Sequence, residues 1–356
     1  VAAFAPRARA AFVLAALVFA VAVGAATRGH AEAAPPPVDA SARSLDGEAG
    51  PGRVNRAELA SVAWRGGRVT SSTGEGVWVF VSDALPLETP EKWAEFVAKL
   101  THGDELEHVT VRIAALTEIH DLCGAQALGC YGFDEILSLG EVGVASATPE
   151  EVVRHEYGHH VAFSRVNPPW RAVDWGPKHW ASAAGICARV SRGEAFPGDG
   201  GRNYSRNPGE AWAETYRLMD ERKNGITTAT WPIISPAFFP DAAALQAAER
   251  DVLQPWTAGT TSTFQRTFGK STKKVWWIPL QTPLDGELKL TATAPRGGNH
   301  EVAVVAPNRR TVLRRAQWIG QRAKRTATNV CGQRSLFVRV TQSGSLGKVT
   351  VSVSKP

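Results

Sequence analysis

Apolar positions along the chain change their period once, and the change divides it. Before residue 258 they form short runs and helical spacings. Val77-Trp78-Val79-Phe80-Val81 is β-branched and aromatic throughout, the composition of a strand. Thr89-Pro90-Glu91 places a cap, a proline and an acid at the start of a helix to about Leu100. His108 to Ile113 and Glu135 to Leu139 predict two more strands. Thr148-Pro149-Glu150-Glu151 supplies an N-cap, a proline at the first helical position and the glutamate of a capping box. It predicts a helix from Pro149 to about Arg165, ending before Asn167-Pro168-Pro169. Asn207-Pro208 opens another helix, and Asp241 to Leu253 reads as a last one. Beyond Pro255 to Thr263 the period becomes two. Leu288, Leu290, Ala292 and Ala294 alternate with polar partners, as do Leu336, Val338 and Val340, then Val349, Val351 and Val353. With turns such as Arg296-Gly297-Gly298-Asn299, this predicts an antiparallel β-sandwich. The fold class is α+β: a small sheet with helices over residues 75–257, then the sandwich over 258–356.

The start of the chain concerns location. Arg7 and Arg9 precede an apolar run from Ala10 to Thr27, and Ala31-Glu32-Ala33 offers a small-residue cleavage site. These are the parts of a secretory signal peptide over residues 1–33, cut near Ala33. The run is short and alanine-rich for a membrane span, so none remains after cleavage; an uncleaved anchor is the alternative. Residues 34–74 follow as a linker or short pro-segment, rich in Ala, Pro, Gly and charge up to residue 56. Four cysteines agree with export. Cys123–Cys130 would close a short loop, leaving Cys187–Cys331 to tie the two parts together, one choice among the three connectivities that four cysteines allow.

Charge separates the parts more sharply than any linker. Residues 258–356 hold 17 Lys and Arg against 3 Asp and Glu, a formal +14, whereas residues 34–257 hold 20 against 30, a formal −10. Arg309, Arg310, Arg314, Arg315, Arg322, Lys324 and Arg325 dominate the basic side. Such a surface suits an anionic partner such as a cell-surface polymer.

The chemistry concentrates in His155-Glu156-Tyr157-Gly158-His159, which reads H-E-x-x-H. Histidines four apart lie on one helix face and reach one ion, and the glutamate between them sits where it can take a proton from water. Gly158 costs helix propensity but admits close approach of a neighbour. His160 points away from the ligand face, which suits packing. Ala162 and Arg165 stand where a longer zinc motif has glycine and histidine, so a third histidine is excluded. The other common solution is a glutamate on a later helix. Glu210 and Glu214 share one face of the helix after Asn207, and either can serve. Glu210, three positions after Asn207, also suits a cap. His179, Tyr204 and Arg202 are candidate donors to an oxyanion or substrate.

His155-Glu156-Tyr157-Gly158-His159 followed by Glu210-Ala211-Trp212-Ala213-Glu214 resembles the gluzincin metallopeptidases, over about residues 75–225. The resemblance implies a zincin-like domain with one catalytic Zn²⁺ held by His155, His159 and Glu210. It implies Glu214 as support for a ligand histidine and Glu156 as general base, in a secreted peptidase acting on peptide or protein substrates. A peptide would add as a strand at a sheet edge, for which Ile136 to Leu139 is the candidate. The basic sandwich resembles the accessory domains at the C-terminus of secreted bacterial peptidases. The competing reading is a non-catalytic secreted binding protein whose sandwich holds an anionic surface, with a structural or vestigial metal site. Three protein ligands in an open cleft favour the enzyme; a closed or inaccessible site favours the binding protein.

Overall fold

A computed structural model describes residues 56–356, apart from 228–229, 232–233, 271, 273, 320–322 and 345. The predicted signal peptide, most of the predicted linker, and Arg322 lie outside the described residues. Helix α1 (Arg56–Leu59) leads into β1 (Trp64–Thr70) and β2 (Gly76–Ser82), followed by α2 (Pro90–Val97), β3 (Thr110–Ala114) and α3 (Leu116–Cys123). Next come β4 (Gly129–Gly132), β5 (Glu135–Leu139) and the motif helix α4 (Pro149–Phe163). Three short helices, α5 (Ala172–Trp175), α6 (Lys178–Ala183) and α7 (Ile186–Ser191), precede the long α8 (Pro208–Lys223) and α9 (Ala242–Leu253).

The first sheet has the order β1-β2-β3-β5-β4. Its central pairs β2–β3 and β3–β5 are parallel, and both outer pairs are antiparallel. Val77, Val79 and Val81 point from β2 into a core shared with Trp93 of α2, Val111 and Ile113 of β3, and Val153 and Tyr157 of α4. A second cluster joins Ile119 and Leu122 of α3 to Leu137 and Leu139 of β5. The small sheet therefore serves as the floor on which α4 rests.

Two expectations are corrected here. Residues 64–70, assigned to the linker, form β1 and pair along their whole length with β2. Gly66-Gly67 interrupts the apolar alternation, so the stretch does not read as a strand. Gly66 is required there: its φ is +132°, and a Cβ would stand 2.2 Å from the carbonyl oxygen of Val79. The second correction concerns the edge. Ile136 to Leu139 lies inside the sheet, between β3 and β4, and the outer strand is β4. Phe133 and Asp134 turn the β4–β5 hairpin, both with positive φ. That is the two-residue turn normally marked by Asn-Gly, and Phe-Asp hides it.

The C-terminal part contains β6 (Thr260–Phe268), β7 (Val275–Gln281), β8 (Gly286–Thr293), β9 (Asn299–Val305), β10 (Val312–Ile319), β11 (Ala323–Val330), β12 (Ser335–Ser343) and β13 (Gly347–Lys355). They form two four-stranded antiparallel sheets, β10-β9-β12-β7 and β11-β8-β13-β6. Leu288, Leu290 and Ala292 from one sheet meet Leu336, Val338 and Val340 from the other in a single core. The period-two pattern thus becomes two facing layers.

Both parts belong to one compact unit. The Cys187–Cys331 disulfide crosses between them, and Cys123–Cys130 closes the loop before β4. Beside the crossing, Ser182 Oγ accepts from Asp285 N at 2.9 Å and Arg334 donates to the Ser182 carbonyl at 2.8 Å. Two disulfides suit an oxidising, extracellular setting. Among the described residues no helix is long and apolar enough to cross a membrane.

Candidate metal centre

Helix α4 begins as its sequence directs. Thr148 Oγ1 accepts from Glu151 N at 3.2 Å, and the Glu151 carboxylate accepts from Thr148 N at 2.8 Å. Helix α8 begins at Asn207, whose Oδ1 accepts from Gly209 N at 3.0 Å. Asn207 therefore supplies the cap, and Glu210 is left to another task.

The two helices cross at their smallest residues. A Cβ on Gly158 would stand 2.7 Å from Cα of Ala213. Trp212 Nε1 donates to the Gly158 carbonyl at 2.7 Å across the same crossing. Gly158 lies between His155 and His159, and Ala213 between Glu210 and Glu214. One close contact thus brings His155 and His159 together with Glu210 and Glu214.

His155, His159 and Glu210 converge so that one donor atom from each lies within 4.8 Å of the others. Glu210 Oε2 is 3.4 Å from His155 Nε2 and 3.3 Å from His159 Nε2. Tetrahedral ligands at about 2.0–2.1 Å from an ion stand roughly 3.3–3.4 Å apart, which matches these two separations. Glu210 Oε2 is buried and accepts no hydrogen bond from the described residues. Its other oxygen is 3.4 Å from Asn207 Nδ2. A buried carboxylate oxygen aimed at two imidazole nitrogens calls for a cation. The residues fit a metal ion, and no fourth His, Cys, Asp or Glu joins the group among the described residues.

Glu214 meets the group from behind, at 3.1 Å from His155 Nδ1. With Nδ1–H donated there, the Nε2 lone pair of His155 faces the centre. Burial alone would raise the Glu214 carboxyl, but Arg217 and His155 outweigh it and hold it down to about 2. Arg217, itself buried, also binds the buried Glu221 at 2.7 Å and donates to the carbonyl of the exposed Thr230 at 2.6 Å. Arg217 and Glu221 went unread in the sequence. Their signal is the spacing Glu214, Arg217, Glu221, an ion ladder along one helix face.

Glu156 lies against the outer strand. A Cβ on Gly129 of β4 would stand 3.1 Å from its Oε1 and 2.6 Å from Val152 Cγ1. The glycine lets β4 lie close to the motif helix. Tyr131, two residues on, stacks on His159 with ring centroids 6.5 Å apart. His155 is 1% exposed, and Glu156, His159 and Glu210 are 0% exposed. His160 turns away, as its position on the helix requires. Its Nε2 donates to the Glu105 carbonyl at 2.8 Å, and Tyr131 Oη lies 3.2 Å from its Nδ1.

The remaining candidates are dispersed. His179 binds Asp251 at 2.7 Å and lines a cavity that includes none of the metal-group residues. Tyr204 starts a 3-10 turn leading into α8 and packs on the main core, and Arg202 is exposed before it. No family of known proteins matches the chain, and no curated protein matches it.

Proposed function

We propose that this chain is a secreted zinc-dependent peptidase of the gluzincin type, with a zincin-like domain over the first part. The triangle of His155, His159 and Glu210, beside Glu156, is the observation that carries the reading. Two imidazoles and one carboxylate suit zinc, and three protein ligands leave a coordination position open. A bound zinc ion supplies Lewis acidity, polarising a carbonyl and lowering the pKa of water. Glu156, on the same helix turn, takes the proton from water and passes it to the leaving amine. Glu214 holds His155 in register, and Arg217 neutralises Glu214. Strand β4 is the sheet edge beside Glu156, where an extended peptide would align.

The binding-protein reading draws on two observations: the burial of the group and the basic C-terminal part, where Arg309, Arg310, Arg314, Arg315 and Arg325 are exposed. A structural ion, however, is normally closed by four ligands, and this group offers three. Replacing Glu156 by Gln separates the two readings. Zinc content should stay at the wild-type level, while hydrolysis of an unfolded protein substrate falls at least about a hundredfold. Undiminished hydrolysis, or a wild-type protein with zinc and no hydrolysis on a broad peptide mixture, would remove the peptidase reading.

A further inference from the structure

A cavity of about 590 Å³ opens between the two parts of the molecule, a size typical of small-molecule sites. Its walls come from α6, α9, the Pro283-Leu284 loop between β7 and β8, and Arg334 before β12. His179, 7% exposed, lies in the wall. Asp251 receives its Nδ1–H and also the backbone N–H groups of His179 and Trp180. Both oxygens of that carboxylate are engaged. It fixes the imidazole so that Nε2 is the ring nitrogen left over, and Nε2 has no partner among the described residues.

Two guanidinium groups line the same space. Arg334 uses Nη1 on Asp285 and Nη2 on the Ser182 carbonyl, leaving N–H donors to spare. Arg250 is exposed on α9 and has no side-chain partner among the described residues. The acidic residue on this wall, Glu249, is engaged by Lys223 at 2.6 Å. Arg334 is charge-paired with Asp285 but keeps donors to spare, so the cavity has several free donors and one unmatched positive charge, that of Arg250. Leu253, Leu284, Pro283 and Ala243 provide apolar surface beside them.

We propose that this cavity is a second ligand site, taking a small carboxylate that carries an apolar side group. Arg250 and Arg334 would hold the carboxylate, His179 Nε2 would give a further polar contact, and Leu253 with Leu284 would cover the apolar group. A guanidinium fork matches a carboxylate in two parallel hydrogen bonds, which is why two arginines over an apolar floor select this class.

The test titrates the full ¹⁵N-labelled chain with N-acetyl-leucine, its carboxamide and inorganic phosphate, following amide shifts. N-acetyl-leucine should saturate and move resonances of α6 and α9, with the carboxamide at least tenfold weaker. Arg250→Gln should weaken N-acetyl-leucine at least fivefold. Ala243→Trp, which fills the mouth from an exposed helix position, should abolish its binding. Both variants sit on the surface and should keep the wild-type amide spectrum elsewhere. Equal binding of acid and carboxamide, shifts centred on α4 instead of α6 and α9, or binding unchanged in both variants would overturn the proposal. Phosphate saturating as tightly as N-acetyl-leucine would overturn the apolar-carboxylate class. Zinc content and hydrolysis by Glu156 are not read in this experiment, so its outcome is independent of the peptidase reading.

Discussion

Glu210 and Glu214 stand one turn apart on α8 yet meet the histidines differently. Glu210 faces the Nε2 atoms of both, and Glu214 backs His155 at Nδ1. Their replacement should separate accordingly. Glu210→Ala should abolish stoichiometric zinc, whereas Glu214→Ala should retain it with affinity lowered about 10–100-fold. Metal analysis against a competing chelator reads both. Equal losses would remove the distinction between ligand and support. The pair was legible because two carboxylates at helical spacing after a capped start suggest one functional face. Arg217 was not legible. It looks like an ordinary charge on a polar helix, and only its burial between Glu214 and Glu221 makes it necessary.

Among elements, the α4–α8 crossing governs the site. Gly158→Ala must push a methyl into Ala213, and such overpacking costs about 1–3 kcal/mol. Because the same shift separates the histidines from Glu210, metal affinity should fall with stability. Thr148→Ala at the start of α4 should cost about 1 kcal/mol through loss of the cap. It should leave metal affinity near wild type, since the crossing is untouched. Denaturant titration with zinc competition distinguishes the two, and parallel losses in both variants would count against the crossing as the controlling feature.

The end of α4 is fastened by charge. Burial would raise the Glu105 carboxyl, but Arg165 and the Gly103 N–H outweigh it and hold it below the usual range. A carboxyl lowered on folding stabilises fully above its unfolded pKa and loses that contribution as pH falls through the folded value. Glu105→Gln should therefore be less stable than wild type at neutral pH, with the gap closing below about pH 4.5. A gap independent of pH would show that the ion pair is not responsible. Among strands, those with long uninterrupted periodicity were readable. Strand β1 was hidden by Gly66-Gly67, and β4 by its four residues and an unusual turn, so the edge was assigned to β5.

Across the whole molecule, the change from helical spacing to period two marked the boundary between parts, because each layer type imposes its own repeat. The cavity between them was not legible, since His179, Arg250 and Arg334 are far apart in sequence and meet only through packing. The same junction has a consequence for a severed chain. Leu253 ends α9 and Thr260 starts β6, so one short connection carries the backbone from one part to the other. Cys187 precedes that connection and Cys331 follows it. A protease cutting between residues 254 and 259 would therefore release nothing. The product should migrate as one species on a non-reducing gel and as two after reduction. Two bands without reductant would mean that the bridge is not formed in the isolated protein. With the bridge in place, a nicked copy keeps its basic sandwich attached to the part that carries the His155, His159 and Glu210 group, and the molecule outlasts the integrity of its own backbone.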